Sequence, residues 1–492
     1  GWVVEDISTA ASGNSWQWGE PVGEKINLAA SGQNAFVTNL TGSYDYDEAG
    51  MVTSPCFDFT GMQRPMIKID FVSYSEKDRD GAVIQYTKAD GDWATIGVPN
   101  DGVNWYNSYI ISGAPANQQL GWTGEITGDN NGWQTAMYRL DELRGRAGVR
   151  FRIVFGSDAA GDGYEGFAFD NIQFSERKRT VLLENFTNST NDDAVNILSE
   201  INNKIEKDSA DVIVLNYHTS FPQSNNFYSF YPSGPSARAL FYGVSTVPYS
   251  IVDGESQFSY LSGHDLNEAD IHKRMLIDPT FDIAVKQDIQ GENLVVTSDI
   301  KSENDLNGYK LLVFVAIVEK TVVEENETYR NVLRTMLPDA AGILVEREWF
   351  TDDTESIYQS WAIPEGVSAD SLMTIVFVQD NETKEIYQTE YTSEFSAITS
   401  TPDVINNKDK IFSVYPNPII DRVYVSLAES AKELISVKIY SSLGNLIKTE
   451  VIQPGQTLIN IDTGNLRRGV YFVKLTSENG EVQGVTKIIK SK

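Results

Sequence analysis

The chain has 492 residues, too many for one hydrophobic core, and its 39 Lys and Arg against 69 Asp and Glu give a formal net charge of −30. That balance disfavours an electrostatic grip on nucleic acid or anionic lipid. Cys56 is the one cysteine, so an intrachain disulfide framework and a cysteine-rich zinc site are both excluded. No run of about twenty apolar residues is present to cross a membrane as a helix.

Residues 1–176 alternate short strand patterns, "MIKIDFVSY", "GAVIQYT" and "GVRFRIVFG", with loops rich in Gly, Asn and Asp. Period-two alternation broken by frequent turns predicts a β-sandwich. Its recurrent Trp, Tyr and Phe are expected to fill the core rather than to form a sugar-stacking platform. Cys56, in "SPCFDF", is expected to be a small buried side chain. Ser175–Thr180, "SERKRT", reads as a polar joint.

Residues 177–275 are the α/β stretch. "RTVLLENF" and "DVIVLNYHT" are continuous apolar runs suited to parallel strands. Between them "DDAVNILSEINNKIEK" places Val195, Leu198, Ile201 and Ile205 at helical spacing, with Asp192 and Asp193 in the first turn, where the helix dipole favours negative charge. "PSARALFYG" predicts a second helix ending at Gly243. Residues 276–396 return to strands ("TFDIAVKQDI", "NLVVTSDIKS", "YKLLVFVAIVEK", "SLMTIVFVQD") and predict a sandwich of the fibronectin or immunoglobulin kind. A polar linker follows over 397–410, then a compact all-β region over 411–492. The whole is expected to be mainly β and multidomain.

The last region carries "YPNP" at Tyr415–Pro418, "SLGNLI" at a hairpin, "GVYFVKL" at Gly469–Leu475 and a terminal "KIIK". In that order these motifs resemble the type A C-terminal sorting domain of the type IX secretion system of Bacteroidota. Pro416 and Pro418 block a sheet ladder on either side of Asn417. The resemblance implies an immunoglobulin-like sandwich read by the outer-membrane translocon and its shuttle protein. Its signal residues would be Tyr415, Pro416, Asn417, Pro418, Gly469, Tyr471, Lys474, Leu475, Lys487 and Lys490. It further implies a secreted or cell-surface protein whose signal peptide has been removed.

In the first region, "SWQWGEP", "DRDGAVIQYTKADGDWATIG" and "GSDAAGDGYEGFAFDNIQF" resemble MAM-like, or choice-of-anchor, jelly rolls. Related jelly rolls hold calcium, which makes Asp80, Asp158 and Asp170 candidate ligands, since calcium requires hard oxygen donors. Turns and caps account for the same aspartates equally well. Residues 177–396, through "LLENFTNST", "GVSTVPYSIVDG" and "VLRTMLPDAAG", resemble the Omp28-related family, a thioredoxin-like module followed by a sandwich. In that alignment the dithiol positions fall on Asn191 and Ala194, and the proline loop on Pro248 with an expected cis Val247–Pro248 bond. Neither residue forms a thiolate, so disulfide exchange and a redox cofactor are not expected.

His218 follows "VIVLNY", where a catalytic residue can sit beyond a parallel strand's C-terminal end. His264 and His272 lie eight apart in a polar stretch and are not expected to share a metal. There is no G-x-S-x-G, H-E-x-x-H or P-loop pattern. The expected role is therefore non-enzymatic adhesion or assembly at the surface, or a part in gliding motility, with a surface glycan or protein as ligand. The alternatives are calcium-dependent glycan binding and a secreted hydrolase or redox enzyme with an unrecognised site.

Overall fold

The computed structural model describes residues 1–6, 14–160, 163–260, 265–306, 310–395, 412–415, 419, 422–427, 430–441, 445–477 and 482–490. The protein is mainly β and divides into two units, Gly1–Ala397 and Ile398–Lys492.

Alternating side chains build the first part of the larger unit as a sandwich of two six-stranded antiparallel sheets. One runs in the order Val3–Asp6, Ala49–Thr53, Phe151–Gly156, Gly81–Thr87, Trp93–Thr95, with Trp122–Thr123 also on Gly81–Thr87. The other runs Gln134–Arg139, Pro65–Tyr74, Gly166–Glu176, Ala35–Thr38, Trp16–Gly19, with Glu125–Ile126 on Pro65–Tyr74. Aromatic residues fill the space between them: Phe71, Trp105, Trp122, Phe151 and Phe167 are all buried. Cys56 corrects the expectation of burial, for it is exposed. Phe57 pairs with Val149 in an isolated bridge, and the period of two sends Phe59 into the core and its even-numbered neighbours outward.

In the α/β stretch, strand Val181–Thr187 is buried at every position and lies parallel to Val212–His218. The crossover is helix α1 (Asp192–Ile205), whose buried stripe is Ala194, Ile197, Leu198, Ile201 and Ile205. Strand Tyr249–Val252 pairs antiparallel on the other side of Val181–Thr187, and Ser259–Tyr260 extends it. Two helices, α2 (Asn226–Phe230) and α3 (Ser233–Tyr242), intervene. The second ends where predicted: Gly243, at φ 73°, adopts the left-handed cap that glycine takes without strain. Helix α4 (Glu268–Met275) completes this part.

One sheet draws strands from both sides of the boundary expected at 275–276. Asn216 pairs parallel with Val332, joining strand Glu327–Leu337 to the α/β strands, and the sheet continues through Lys310–Glu324, Leu372–Asp380 and Ile386–Thr392. Strand Lys310–Glu324 serves two cores. Its odd residues Leu311, Val313, Val315 and Ile317 pack with Phe281, Leu294 and Val296 of the three-stranded sheet opposite. Its even residues Phe314, Ala316 and Val318 pack with Leu182, Leu215 and Ala239 of the α/β part. Two buried faces explain why "LLVFVAIV" is apolar throughout.

The polar joint at Ser175–Thr180 carries two buried arginines. Arg177 is 1 % exposed and its guanidinium reaches Asp141 at 2.6 Å, Asp211 at 2.7 Å and the Pro65 carbonyl at 2.8 Å. Arg179 reaches Asp253 at 3.2 Å and the Ile386 carbonyl at 3.1 Å. Two buried guanidiniums with such partners fix a geometry rather than allow a hinge.

The smaller unit stacks a three-stranded sheet, Phe412–Tyr415, Arg422–Leu427 and Leu458–Asp462, on a four-stranded one. The latter has the order Leu446–Ile452, Ile435–Ser441, Gly469–Ser477, Val482–Lys490. The core between them is chiefly Ile, Val and Leu, among them Val423, Val425, Val437, Ile439, Val473 and Ile488.

Candidate functional sites

The two most specific C-terminal motifs are cross-strand partners. Strands Gly469–Ser477 and Val482–Lys490 pair so that Gly469 faces Lys490, Val470 faces Ile489, Tyr471 faces Ile488 and Phe472 faces Lys487. "GVYFVKL" and "KIIK" are thus the two paired arms of one hairpin. Tyr471 and Leu475 point into the core, and the Tyr471 hydroxyl donates to the Arg467 carbonyl at 2.7 Å. Lys474 stands opposite Lys438 on the neighbouring strand, a like-charge pair that a sheet does not favour for stability. Lys490 is buried and Lys487 exposed. Tyr415 stacks on Tyr424 with ring centroids 5.7 Å apart. Pro416, Asn417 and Pro418 lie outside the described residues.

The positions aligned with a dithiol are occupied by a helix cap. The Asn191 carboxamide oxygen accepts the Ala194 N–H at 2.9 Å, closing the first turn of α1, and Ala194 is buried. Asn and Ala at N-cap and N3 make a sound helix start and offer no nucleophile. The Val247–Pro248 bond is cis, as are Phe221–Pro222 and Leu337–Pro338.

His218 ends its strand beside Thr187, its register partner. Both ring nitrogens and the Thr187 hydroxyl are buried without a hydrogen-bond partner among the described residues. Phe227 and Tyr329 pack on the imidazole at centroid distances of 4.3 and 5.5 Å. Burial, helped by the Arg334 charge, pushes its pKa down to about 3. A neutral imidazole with no orienting partner lacks the arrangement of a general base near neutral pH. His264 lies outside the described residues.

The three candidate calcium ligands do not converge. Asp80 is fully buried, accepting the Tyr44 hydroxyl at 2.5 Å and the Asp158 N–H at 2.8 Å, and burial raises its pKa to about 6. Asp158 accepts Arg79 at 3.0 Å, the Ser112 hydroxyl at 2.9 Å and the Ala160 N–H at 2.9 Å. Asp170 belongs to the other sheet, accepting the N–H groups of Ser31 at 3.0 Å and Asn171 at 2.8 Å. It is one of three acids on or beside strand Gly166–Glu176 that clip distant loops. Glu165 takes the N–H groups of Lys25 and Ile26, and Glu176 those of Gln63 and Arg64. Carboxylates thus tie this part of the sandwich through backbone donors. Among the described residues, the acids and histidine close enough to share one ion are Asp208, Glu268 and His272.

Sequence reasoning missed the buried pair Glu184–Arg238. Arg238 donates to Glu184 at 2.6 Å and to Gln379 at 2.8 Å, while the Tyr217 and Tyr242 hydroxyls also reach Glu184. A lone Glu inside "VLLENF", a strand buried at every position, is the signal that a cation must meet it.

Residues 413–491 match the family model of the secretion system C-terminal sorting domain. No curated protein matches the chain in sequence. Among solved structures, the chain is similar to HBP35 of Porphyromonas gingivalis, at 17% identity over 64% of this chain and 99% of that one, with a TM-score of 0.38. It is similar to a domain of the outer membrane lipoprotein Omp28 from Porphyromonas gingivalis, at 21% identity over 23% of this chain and 87% of that one, TM-score 0.18. It is also similar to the K1 cleaved adhesin domain of Lys-gingipain from Porphyromonas gingivalis W83, at 10% identity over 36% of this chain and 90% of that one, TM-score 0.20. No helix among the described residues is long and apolar enough to cross a membrane. The C-terminal unit is a type IX secretion sorting domain, and the chain is a protein that this system exports to the cell surface.

Proposed function

We propose that the exported part is a non-enzymatic component of the cell surface, working in adhesion or in the assembly of a surface apparatus such as one for gliding. The observation that carries this reading is the cap at α1: the residues aligned with a dithiol, Asn191 and Ala194, are bonded to each other as a helix start. The order of strands around Val181–Thr187 supports a thioredoxin-like reading of this part. The paired six-stranded sheets support the jelly-roll reading of residues 1–176. A thioredoxin-like scaffold without thiols is a platform, and the sandwich beside it offers a second surface for a glycan or protein ligand. Calcium-dependent binding has less support, because Asp80, Asp158 and Asp170 already accept protein donors.

The test uses the purified full chain in an insulin-reduction assay, a hydrolase-substrate screen and a glycan array with immobilised cell-surface proteins. Specific binding without turnover is the expected result. Thiol-dependent reduction of insulin, or hydrolysis lost in His218→Leu, overturns the reading.

A further inference from the structure

Where the first sandwich meets the α/β part lies a group of side chains that neither export nor the platform reading uses. His272, on α4, is 4 % exposed. Its Nδ1 lies 2.6 Å from Asp101 Oδ1, and Asp101 is itself held by the Tyr138 hydroxyl at 2.9 Å. Its Nε2 lies 3.2 Å from Asp208 Oδ2, just beyond α1. Glu268 precedes His272 by one helical turn on the same face. One ligand atom from each of Asp208, Glu268 and His272 falls within 4.8 Å of the others.

We propose that His272 Nε2, Asp208 and Glu268 of the α/β part bind a divalent transition-metal ion of the zinc class, with Asp101 and Arg139 of the sandwich positioning His272 and Asp208. The two sides of the imidazole differ in a way that points to an ion. The Nδ1 contact, at 2.6 Å, is a short charge-assisted hydrogen bond. The Nε2 contact, at 3.2 Å, is long for such a bond. It is at the long end of the hydrogen-bond range and matches the separation of two ligand atoms on one tetrahedral zinc, about 3.3 Å for metal–ligand bonds of about 2.0–2.1 Å. A histidine whose far nitrogen is held by a carboxylate, with its near nitrogen facing further carboxylates, has the outer-shell arrangement of metal-bound histidine. Arg139 fixes the other Asp208 oxygen at 2.7 Å, setting that carboxylate's orientation. An imidazole donor with two carboxylates suits zinc, whereas calcium takes six to eight oxygens.

Lys207 is the competitor, because its ammonium pairs with Glu268. Its side chain is 55 % exposed, so it can turn to solvent when an ion arrives. A cleft of about 250 Å³, lined by Arg139, Asp141, Glu142, Lys207 and Asp208 among others, brings solvent to Asp208 and to the Lys207 side chain.

The test is calorimetric titration of zinc into the full chain after chelator treatment, with the visible spectrum of a cobalt(II) complex reporting coordination. One zinc per chain, a four-coordinate cobalt spectrum and a higher first unfolding temperature are expected. Glu268→Gln, at a partly exposed position, should abolish the stoichiometric site, as should His272→Gln. Asp101→Asn should weaken binding by about 10- to 100-fold at unchanged stoichiometry. Lys207→Ala should tighten it, an effect that a purely structural ion-pair cluster does not produce. The proposal is overturned by no stoichiometric zinc at millimolar ion, by several weak sites indifferent to Glu268→Gln, or by calcium competing equally. It is overturned too if Lys207→Ala leaves the affinity unchanged.

Discussion

Twelve of the 39 Lys and Arg lie in Ile398–Lys492, but only nine of the 69 Asp and Glu do, so that unit is +3 while Gly1–Ala397 is −33. The two also differ in how they use charge inside. Gly1–Ala397 buries Arg177, Arg179, Glu184, Arg238, Asp253 and Arg274, each meeting a partner distant in sequence. The core of Ile398–Lys492 is packed from aliphatic side chains on alternating strands, with few aromatic ones. Buried pairs impose particular partners, because an unmatched buried charge is severely penalised. An aliphatic sandwich asks only for volume and alternation, and tolerates exchange among hydrophobic residues. The large unit is specified by pairings and the small one by pattern.

The strongest way to break this comparison is to separate the units. About the last hundred residues, fused to a fluorescent protein, should carry it to the surface or medium of a type IX-competent cell, and the chain lacking them should stay behind. The expected difference is all or none, read by cell fractionation. A fusion retained in the periplasm contradicts the assignment of the sorting unit.

Next in size is the Glu184–Arg238 pair. Arg238→Met leaves Glu184 buried with only hydroxyl donors, and the penalty for breaking such a pair is about 3–5 kcal/mol. Calorimetry of the full chain should show the large unit melting earlier and the small unit unmoved. Adding Glu184→Leu should restore much of the loss. If the double variant is as unstable as the single, the penalty is packing rather than unmatched charge.

The helix Asp192–Ile205, the cap at Gly243 and the terminal hairpin were legible because periodicity and turn chemistry are local. What was not legible required partners from afar. The joint at 275–276 looked like a boundary because composition changes there, yet one residue pair, Asn216 with Val332, carries the sheet across. Acids recur around Asp80, Asp158 and Asp170 in the sequence, but hydrogen bonds from Tyr44, Arg79 and Ser31 decide their surroundings. Asp101 and Asp208, which hold His272, are 107 residues apart, and no pattern links them.

The third prediction concerns pH. His218 titrates near 6.5 when unfolded and near 3 when folded, so between those values the unfolded chain binds the extra proton. The neutral form therefore contributes stability that is present above pH 6.5 and lost as pH falls through that window, at up to about 1.4 kcal/mol per pH unit. Denaturant unfolding of the full chain at several pH values should show the large unit weakening faster in wild type than in His218→Leu. Parallel profiles for the two proteins show that His218 reaches solvent or a partner when protonated.

The smallest effect is expected at the cap of α1. Asn191→Ala removes one acceptor from the Ala194 N–H, and loss of an N-cap costs about 1 kcal/mol in helices generally. Asn191→Asp keeps the acceptor and adds a charge that the helix N-terminus favours, although Asp192 and Asp193 already crowd that turn. The aspartate should therefore come close to wild type, and its small deficit should shrink at high salt as the three acids are screened. Asn191→Ala should lower the large unit's melting temperature at every salt concentration and leave the small unit's transition in place. An alanine variant as stable as wild type removes the cap as the reason for asparagine here.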